Sequence, residues 1–159
     1  MKRYLLFALV FANVLLLGAG FAMAMVAYPR LPSAILLWIN LVGQPSFWVR
    51  KTPLFFLYPG AQLFFSVVFS LAASKPRIPA ELRNERMPGK LAHLWKEEAL
   101  TALIFINLLL IHLQRSLIFL SHGLKEGINP TYFLLLFIFL WLLIPAYRLR
   151  RNIEAASRT

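Results

Sequence analysis

Cysteine and aspartate are both absent from the 159-residue sequence. Without cysteine, the chain can form no disulfide, no thiolate metal site and no cysteine nucleophile. The six glutamates are scattered along the chain, which disfavours a pair of carboxylates across a catalytic cleft. His93, His112 and His122 lie before, within and after one long apolar run, too far apart for one zinc ion. The sequence also has no phosphate-loop or serine-elbow motif, so we expect no enzyme activity, no metal site and no cofactor.

Charged residues of both signs are scarce, because they make up 14% of the chain against about 25% in a typical soluble domain. Hydrophobic residues make up 60% of it, which is more than a soluble domain of this size can bury. A membrane-spanning helix, by contrast, needs about 20 mostly apolar residues. The formal charge of +11 is carried by short segments between the apolar runs, so it indicates membrane topology rather than nucleic-acid binding.

Four long apolar runs predict an all-α integral membrane protein, a four-transmembrane-helix bundle that forms one domain over residues 1–159. The helices are expected at about residues 4–28, 53–73, 99–120 and 131–147. Thr52-Pro53 and Asn129-Pro130 precede the second and fourth runs, each offering a capping side chain and then a proline for the first helical position. The first run also resembles a secretory signal with a cleavage site near residues 22–24. Because it exceeds the roughly 7 to 15 residues of a signal core, we expect a retained helix.

The distribution of lysine and arginine predicts the orientation, because cytoplasmic segments carry the excess of basic residues. Twelve basic residues flank one side of the predicted bundle: Lys2, Arg3, Lys75, Arg77, Arg83, Arg86, Lys90, Lys96, Arg148, Arg150, Arg151 and Arg158. Four flank the other side, namely Arg30, Arg50, Lys51 and Lys125, and Arg115 lies within the third helix. Both termini and the 74–98 loop are therefore expected in the cytoplasm.

The segment between the first two helices is unusually apolar for a loop. Residues 33–43 have the sequence SAILLWINLVG, which is too short to span a membrane and too apolar for a solvated connection. We therefore expect an interfacial or re-entrant segment on the outer surface. Trp38, Phe47 and Trp48 are amphipathic anchors suited to the membrane interface.

The cytoplasmic loop has a helical pattern of its own. Leu91, Leu94 and Trp95 recur at helical spacing beside charged residues. This spacing predicts an amphipathic surface helix that leads into the third transmembrane helix.

A short motif in the outer loop resembles a known family. The family pattern has Leu-Pro, Ile-Pro, a histidine and an asparagine, a glycine, and a lysine before the next helix. The matching residues here are Leu31, Pro32, Ile35, Asn40, Gly43 and Lys51, and Pro59 also fits. Leu36 stands in place of the second proline and Trp38 in place of the histidine. Over about residues 1–75 the chain thus resembles DUF1648, the membrane domain at the front of SdpI-type immunity proteins, and the resemblance implies an immunity or sensing role.

The third predicted helix carries the densest polar side chains inside the membrane. At 100° per residue, Asn107 and Gln114 share one face, while His112, Arg115 and Ser116 share an adjoining one. Such residues are costly in lipid and should face the bundle or a partner. His112 and Arg115 could form a proton or anion path. Alternatively, Arg115 extends to the outer headgroups and His112 is a hydrogen-bonded packing residue.

Small and polar residues on the first two helices predict helix packing. Gly18 and Gly20 are each followed four residues later by alanine, and Gln62, Ser66 and Ser70 recur at spacings of four. Small residues let helices approach closely, and polar side chains bond across the contact.

Two classes of function are compatible with these patterns. The first is a non-enzymatic small polytopic protein of the plasma (inner) membrane of a bacterium, which acts through protein or lipid contacts. It would be an accessory subunit of a membrane complex or an SdpI-like immunity or sensing module, with the lipid bilayer, other membrane subunits or an extracytoplasmic peptide as partners. The alternative is a small transporter or ion-conducting oligomer that uses the polar residues of the third helix.

Overall fold

The fold consists of four long helices and one small β-hairpin. The computed structural model describes residues 2–40, 43–74, 88–124 and 130–156. The helices are α1 (Lys2–Ala27), α2 (Leu57–Ser74), α3 (Pro88–Ser121) and α4 (Pro130–Ala156). The strands are β1 (Ala34–Ile39) and β2 (Pro45–Arg50), and short 3-10 turns occupy Tyr28–Arg30 and Pro53–Phe56.

Within the described residues, three helical segments are long and apolar enough to cross a membrane. They are Tyr4–Arg30, Pro53–Ser74 and His93–Ser121. The prediction of several helices suited to a bilayer is confirmed for these three segments. The fourth expected span, residues 131–147, lies within α4, which is 27 residues long. Its crossing of a membrane stays a prediction.

The start of the second helical segment follows from local sequence. Thr52 has an extended backbone, and its side-chain oxygen accepts a hydrogen bond from the Leu54 amide at 3.2 Å. Pro53 takes the first helical position, where its missing N–H leaves no bond unmade. Pro59 is the third residue of α2, again within the first turn. Asn129, the expected cap of α4, lies outside the described residues.

The outer segment forms a β-hairpin, so the fold is mostly helical and the expected all-α class needs the addition of a small two-stranded sheet. The interfacial or re-entrant position of residues 33–43 stays a prediction. β1 and β2 pair antiparallel, with Ala34 opposite Arg50 and Leu36 opposite Trp48. The pairing becomes irregular after Leu36. A hairpin meets the backbone hydrogen-bonding requirement of an apolar segment through a partner strand, which a single short run cannot do.

α3 is the central helix of the fold. It packs against α1, α2, α4 and β1, whereas α4 packs mainly against α3. The amphipathic pattern expected to form a surface helix before residue 99 is instead the first part of α3, which begins at Pro88. Leu94 in this part is buried. The central position of α3 explains why the buried polar groups of the bundle converge on it.

The outward surfaces of the helices are apolar. Large exposed side chains include Tyr4, Phe7, Phe11 and Val14 on α1, Phe64, Val67 and Leu71 on α2, and Phe137, Phe139 and Trp141 on α4. A surface of this kind is stable in hydrocarbon but not in water. Packing inside the bundle therefore depends on small residues, close van der Waals contact and polar bonds rather than on hydrophobic exclusion.

Candidate functional site

The hairpin is attached to the ends of the helices by specific polar bonds. The Leu36 amide donates to Ser121 Oγ at 2.9 Å, and Ser121 is the last residue of α3. The Tyr58 hydroxyl on α2 donates to the Leu37 carbonyl. Both bonds are buried, and both use backbone groups of β1. β1 is therefore held by α2 and α3 as well as by its partner strand.

The motif residues of the outer segment shape this hairpin. Asn40 Oδ1 accepts from the Gln44 amide at 2.8 Å, and the Gly43 amide donates to the Asn40 carbonyl at 3.0 Å. Gly43 has φ 85°, a left-handed conformation that a side chain disfavours. Lys51 Nζ donates to the carbonyls of Pro29 at 2.9 Å and Leu31 at 3.2 Å. Asn40 and Gly43 thus define the turn, and Lys51 joins the end of β2 to the segment after α1.

The hairpin combines fully buried residues with exposed aromatic ones. Ile35 and Leu36 are fully buried, and Ile35 packs with Leu31, Ala24 and Phe55. Three aromatic side chains are exposed: Trp38 by 57%, Phe47 by 55% and Trp48 by 48%. Aromatic rings held on a rigid backbone make good recognition contacts, because little side-chain entropy is lost when a partner binds. The hairpin therefore presents three exposed aromatic residues, of which Trp38 and Phe47 lie opposite each other in the strand pairing.

A second candidate site is a layer of buried amides between α1, α2 and α3. Asn13 Nδ2 donates to the Leu100 carbonyl at 2.9 Å, and its Oδ1 accepts from Asn107 Nδ2 at 3.1 Å. Gln62 Nε2 donates to the Asn107 carbonyl at 3.4 Å. Gln114 Nε2 donates to the Gly20 carbonyl at 3.3 Å. Each of the three helices contributes a buried amide side chain, which ties them together without any charge.

The acceptor capacity of this amide layer is only partly used. Gln62 Oε1, Asn107 Oδ1 and Gln114 Oε1 are buried and have no hydrogen-bond partner within the described part of the chain. All three parent residues are 0% exposed. Unpaired amide oxygens at such a site are suitable ligands for a water molecule or a hard cation.

Only some of the small and polar residues that were expected at helix contacts are buried between helices. Gly20 is buried against the Gln62 amide, whereas Gly18 is exposed, and a Cβ added there would meet no described atom within 4 Å. Along α2, Gln62 is buried, Ser66 is half-buried and Ser70 is exposed. The contact between α1 and α2 is therefore built around Gly20 and Gln62, and Gly18 and Ser70 lie outside it.

His112 and Arg115 are not part of the amide layer. His112 is half-buried, and Arg115 is exposed, with its guanidinium carbon 5.3 Å from the centre of the Phe119 ring. Arg115 instead lies in a groove near Arg30 and His122. The structure thus places Arg115 apart from the buried Asn107 and Gln114.

An ion-pair cluster near the start of α3 was not predicted from the sequence. Glu97 is 0% exposed, and its Oε2 accepts a hydrogen bond from the Arg150 guanidinium of α4 at 2.7 Å. His93 Nδ1 lies 3.0 Å from Glu97 Oε1, but the two groups are not aligned for a hydrogen bond. One turn further along α3, the Thr101 hydroxyl is 3.3 Å from that of Tyr147. This cluster, together with stacking of Phe105 on Phe139, connects α4 to α3.

Sequence reasoning also missed Asn13, although a signal for it was present. Asn13 is the one amide or charged side chain between Tyr4 and Tyr28. An isolated polar side chain in an apolar span generally faces a partner inside the bundle. No comparable local signal marked Glu97, whose glutamate neighbour and basic surroundings are typical of a solvated segment.

Together, these features define a helical protein with three segments suited to a membrane and a small hairpin at one end. Comparison with known protein families, with curated proteins and with solved structures gives no match for this chain.

Proposed function

We propose that this chain is a non-enzymatic membrane protein that recognises an extracytoplasmic peptide or protein through its hairpin. The observation that carries the proposal is the exposure of three aromatic residues, Trp38, Phe47 and Trp48, on a backbone that is bonded to two helices. A segment that served only as a loop would not need so many buried bonds to fix its shape. In this function the chain is an SdpI-like immunity or sensing module.

The resemblance to DUF1648 supports this proposal through the location of its residues. The six matching residues all lie in the hairpin or in the turns beside it. Leu31 and Ile35 are buried beneath the hairpin, and Asn40, Gly43 and Lys51 make the bonds that shape it. A motif that specifies a hairpin, rather than a polar reaction centre, agrees with recognition by surface contact.

The proposed location is the plasma membrane of a bacterium, with both termini in the cytoplasm and the hairpin outside. The distribution of basic residues supports this orientation. α1 ends next to the hairpin and α2 begins next to it, so the hairpin lies at the same end of both helices. In a bilayer, the exposed aromatic residues of the hairpin would then lie at the outer interface, where such rings are favoured.

Site-specific photo-crosslinking in cells tests the proposal. A photoreactive phenylalanine analogue replaces Phe47 on the hairpin, and the matched controls place it at Phe64 on α2 and Phe137 on α4, which are exposed to a similar extent. We expect a defined protein or peptide adduct from position 47 and only lipid adducts from position 64. Lipid adducts alone at position 47 would contradict recognition by the hairpin.

The same experiment tests the accessory-subunit form of the proposal. α4 packs mainly against α3, and Phe137, Phe139 and Trp141 on it are exposed by 61%, 54% and 71%. A face of this kind fits either lipid or a neighbouring membrane subunit. A protein adduct at position 137 without one at position 47 would favour an accessory subunit that docks through α4.

A small transporter or ion-conducting oligomer is the second candidate, favoured by the three unpaired oxygens of the amide layer. They belong to Gln62, Asn107 and Gln114 and lie between three helices. Purified protein in liposomes should then carry a cation flux that Asn107→Leu abolishes. Flux equal to that of empty liposomes would remove this candidate.

A further inference from the structure

A groove near the hairpin end of the bundle combines apolar walls with basic side chains. It lies between the end of α1 and the end of α3 and has a volume of about 340 Å³. This volume falls within the roughly 300 to 1,000 Å³ of typical small-molecule sites. Its walls include Met23, Val26 and Phe119, and Arg30, Arg115 and His122 also line it.

The charge of the groove is of one sign. Arg30, Arg115 and His122 are all exposed, and none of the described residues that line the groove is acidic. Glu97, the buried carboxylate of the ion-pair cluster, lies 18 residues before Arg115 on α3, or roughly 27 Å along the helix axis. The ring of Phe119 next to Arg115 favours a fixed position of the guanidinium at the groove wall. The groove is therefore complementary to an anion.

The depth of the groove indicates the shape of the ligand. Met23 lies seven residues before Arg30, so the wall extends roughly 10 Å from that arginine toward the middle of the first span. Arg115 lies six residues before the end of the third span, close enough for its long side chain to extend to the membrane surface. A ligand that fills the groove must therefore have an anionic group at the surface and an apolar chain in the hydrocarbon.

We propose that this groove binds one phospholipid with an anionic headgroup. The phosphate lies among Arg30, Arg115 and His122, and one acyl chain follows the wall formed by Met23, Val26 and Phe119. This site goes beyond the recognition role of the hairpin and does not depend on it. Because Ile118, which also lines the groove, packs against the cluster of buried residues beneath β1, the bound lipid lies directly beside the hairpin.

Native mass spectrometry of the detergent-purified chain tests the lipid site. The protein is mixed with equal amounts of a phosphoglycerol lipid and a phosphocholine lipid that have identical acyl chains. We expect one phosphoglycerol lipid to be retained preferentially. Since a basic residue near a membrane surface contributes about a fivefold gain in affinity for anionic lipid, Arg115→Gln and Arg30→Gln should each weaken retention by about that factor.

Three comparisons make the result decisive. Arg50→Gln removes one positive charge from the same end of the chain, but Arg50 does not line the groove, so retention should be unchanged. Val26→Trp keeps every charge but fills the apolar wall, and it should reduce retention. Glycerol phosphate, which has the headgroup but no acyl chains, should not displace the lipid.

Several outcomes would overturn the proposal. These are equal retention of the two lipids, an equal effect of Arg50→Gln and Arg115→Gln, full retention in Val26→Trp, and displacement by glycerol phosphate. Thermal unfolding of each variant shows whether it is folded. If Arg115→Gln is unfolded, the lipid retention of Arg30→Gln and Val26→Trp tests the proposal, because both variants alter exposed residues of the groove.

Discussion

The close contact between Gly20 and Gln62 gives a sharp prediction about the stability of the bundle. A Cβ at Gly20 would lie 1.9 Å from Gln62 Oε1 and 2.8 Å from its Cδ. Gln62 is 0% exposed, so its amide cannot move into open space. Gly20→Ala therefore forces the end of the Gln62 side chain to shift, which weakens its hydrogen bond to the Asn107 carbonyl.

The expected loss follows from two contributions. Overpacking of a well-packed contact costs about 1 to 3 kcal/mol, and a lost hydrogen bond between membrane helices about 0.6 kcal/mol. Gly18→Ala is the matched control, because it makes the same change two residues earlier where no described atom lies within 4 Å. Both variants gain the same helix propensity from alanine. Gly20→Ala should thus be about 1 to 2 kcal/mol less stable than Gly18→Ala, the low end of the range, because the clashing atoms are the end of a flexible side chain.

The assay is unfolding in mixed micelles by increasing SDS, followed by far-UV circular dichroism. The double variant Gly20→Ala with Gln62→Ala should recover part of the loss, because the second change removes the clashing amide. Equal stability of Gly20→Ala and Gly18→Ala would refute the reasoning. An additive double variant would also refute it, since the two sites would then not be in contact.

Three further predictions concern the ends of the bundle. Arg150→Met leaves the buried Glu97 carboxylate without its cation and should lower the free energy of unfolding by about 3 kcal/mol. Glu97→Gln removes the buried charge itself, so it should lower the free energy of unfolding by less. The same SDS titration measures both variants. Gly43→Ala places a side chain on a residue with a left-handed backbone conformation, so it should lower the free energy of unfolding by about 1 to 2 kcal/mol. An unchanged SDS midpoint would argue against the observed turn. The natural chain lacks cysteine, so Ser46→Cys and Ser74→Cys, both at exposed positions, report orientation directly. A membrane-impermeant maleimide should label position 46 in intact cells and position 74 only after lysis, and the reverse order would invert the proposed topology.

The site residues show how far periodicity alone can guide an interpretation. The pattern on the third helix groups Asn107 with Gln114, and the structure buries both, while Arg115 is exposed in the groove and Ser116, grouped with it, is buried. The same kind of pattern did not distinguish Gly18 from Gly20. Both have small residues at a spacing of four, and the neighbouring helix contacts only one of them. The spacing of residues in the sequence describes the surface of one helix, but a helix contact also depends on the position of the neighbouring helix.

Local sequence was sufficient to predict the three membrane-suited segments and the start of the second one at Thr52-Pro53. These features depend on local composition and on side chains adjacent in the chain, so no distant partner is needed to predict them. The pairing of the apolar outer segment as a hairpin and the burial of Glu97 against Arg150, by contrast, follow from the packing of the whole chain. Strand pairing joins residues up to 16 positions apart, and the ion pair joins residues 53 positions apart. Their stability depends on which surfaces meet after the helices pack, and local hydropathy does not contain that information.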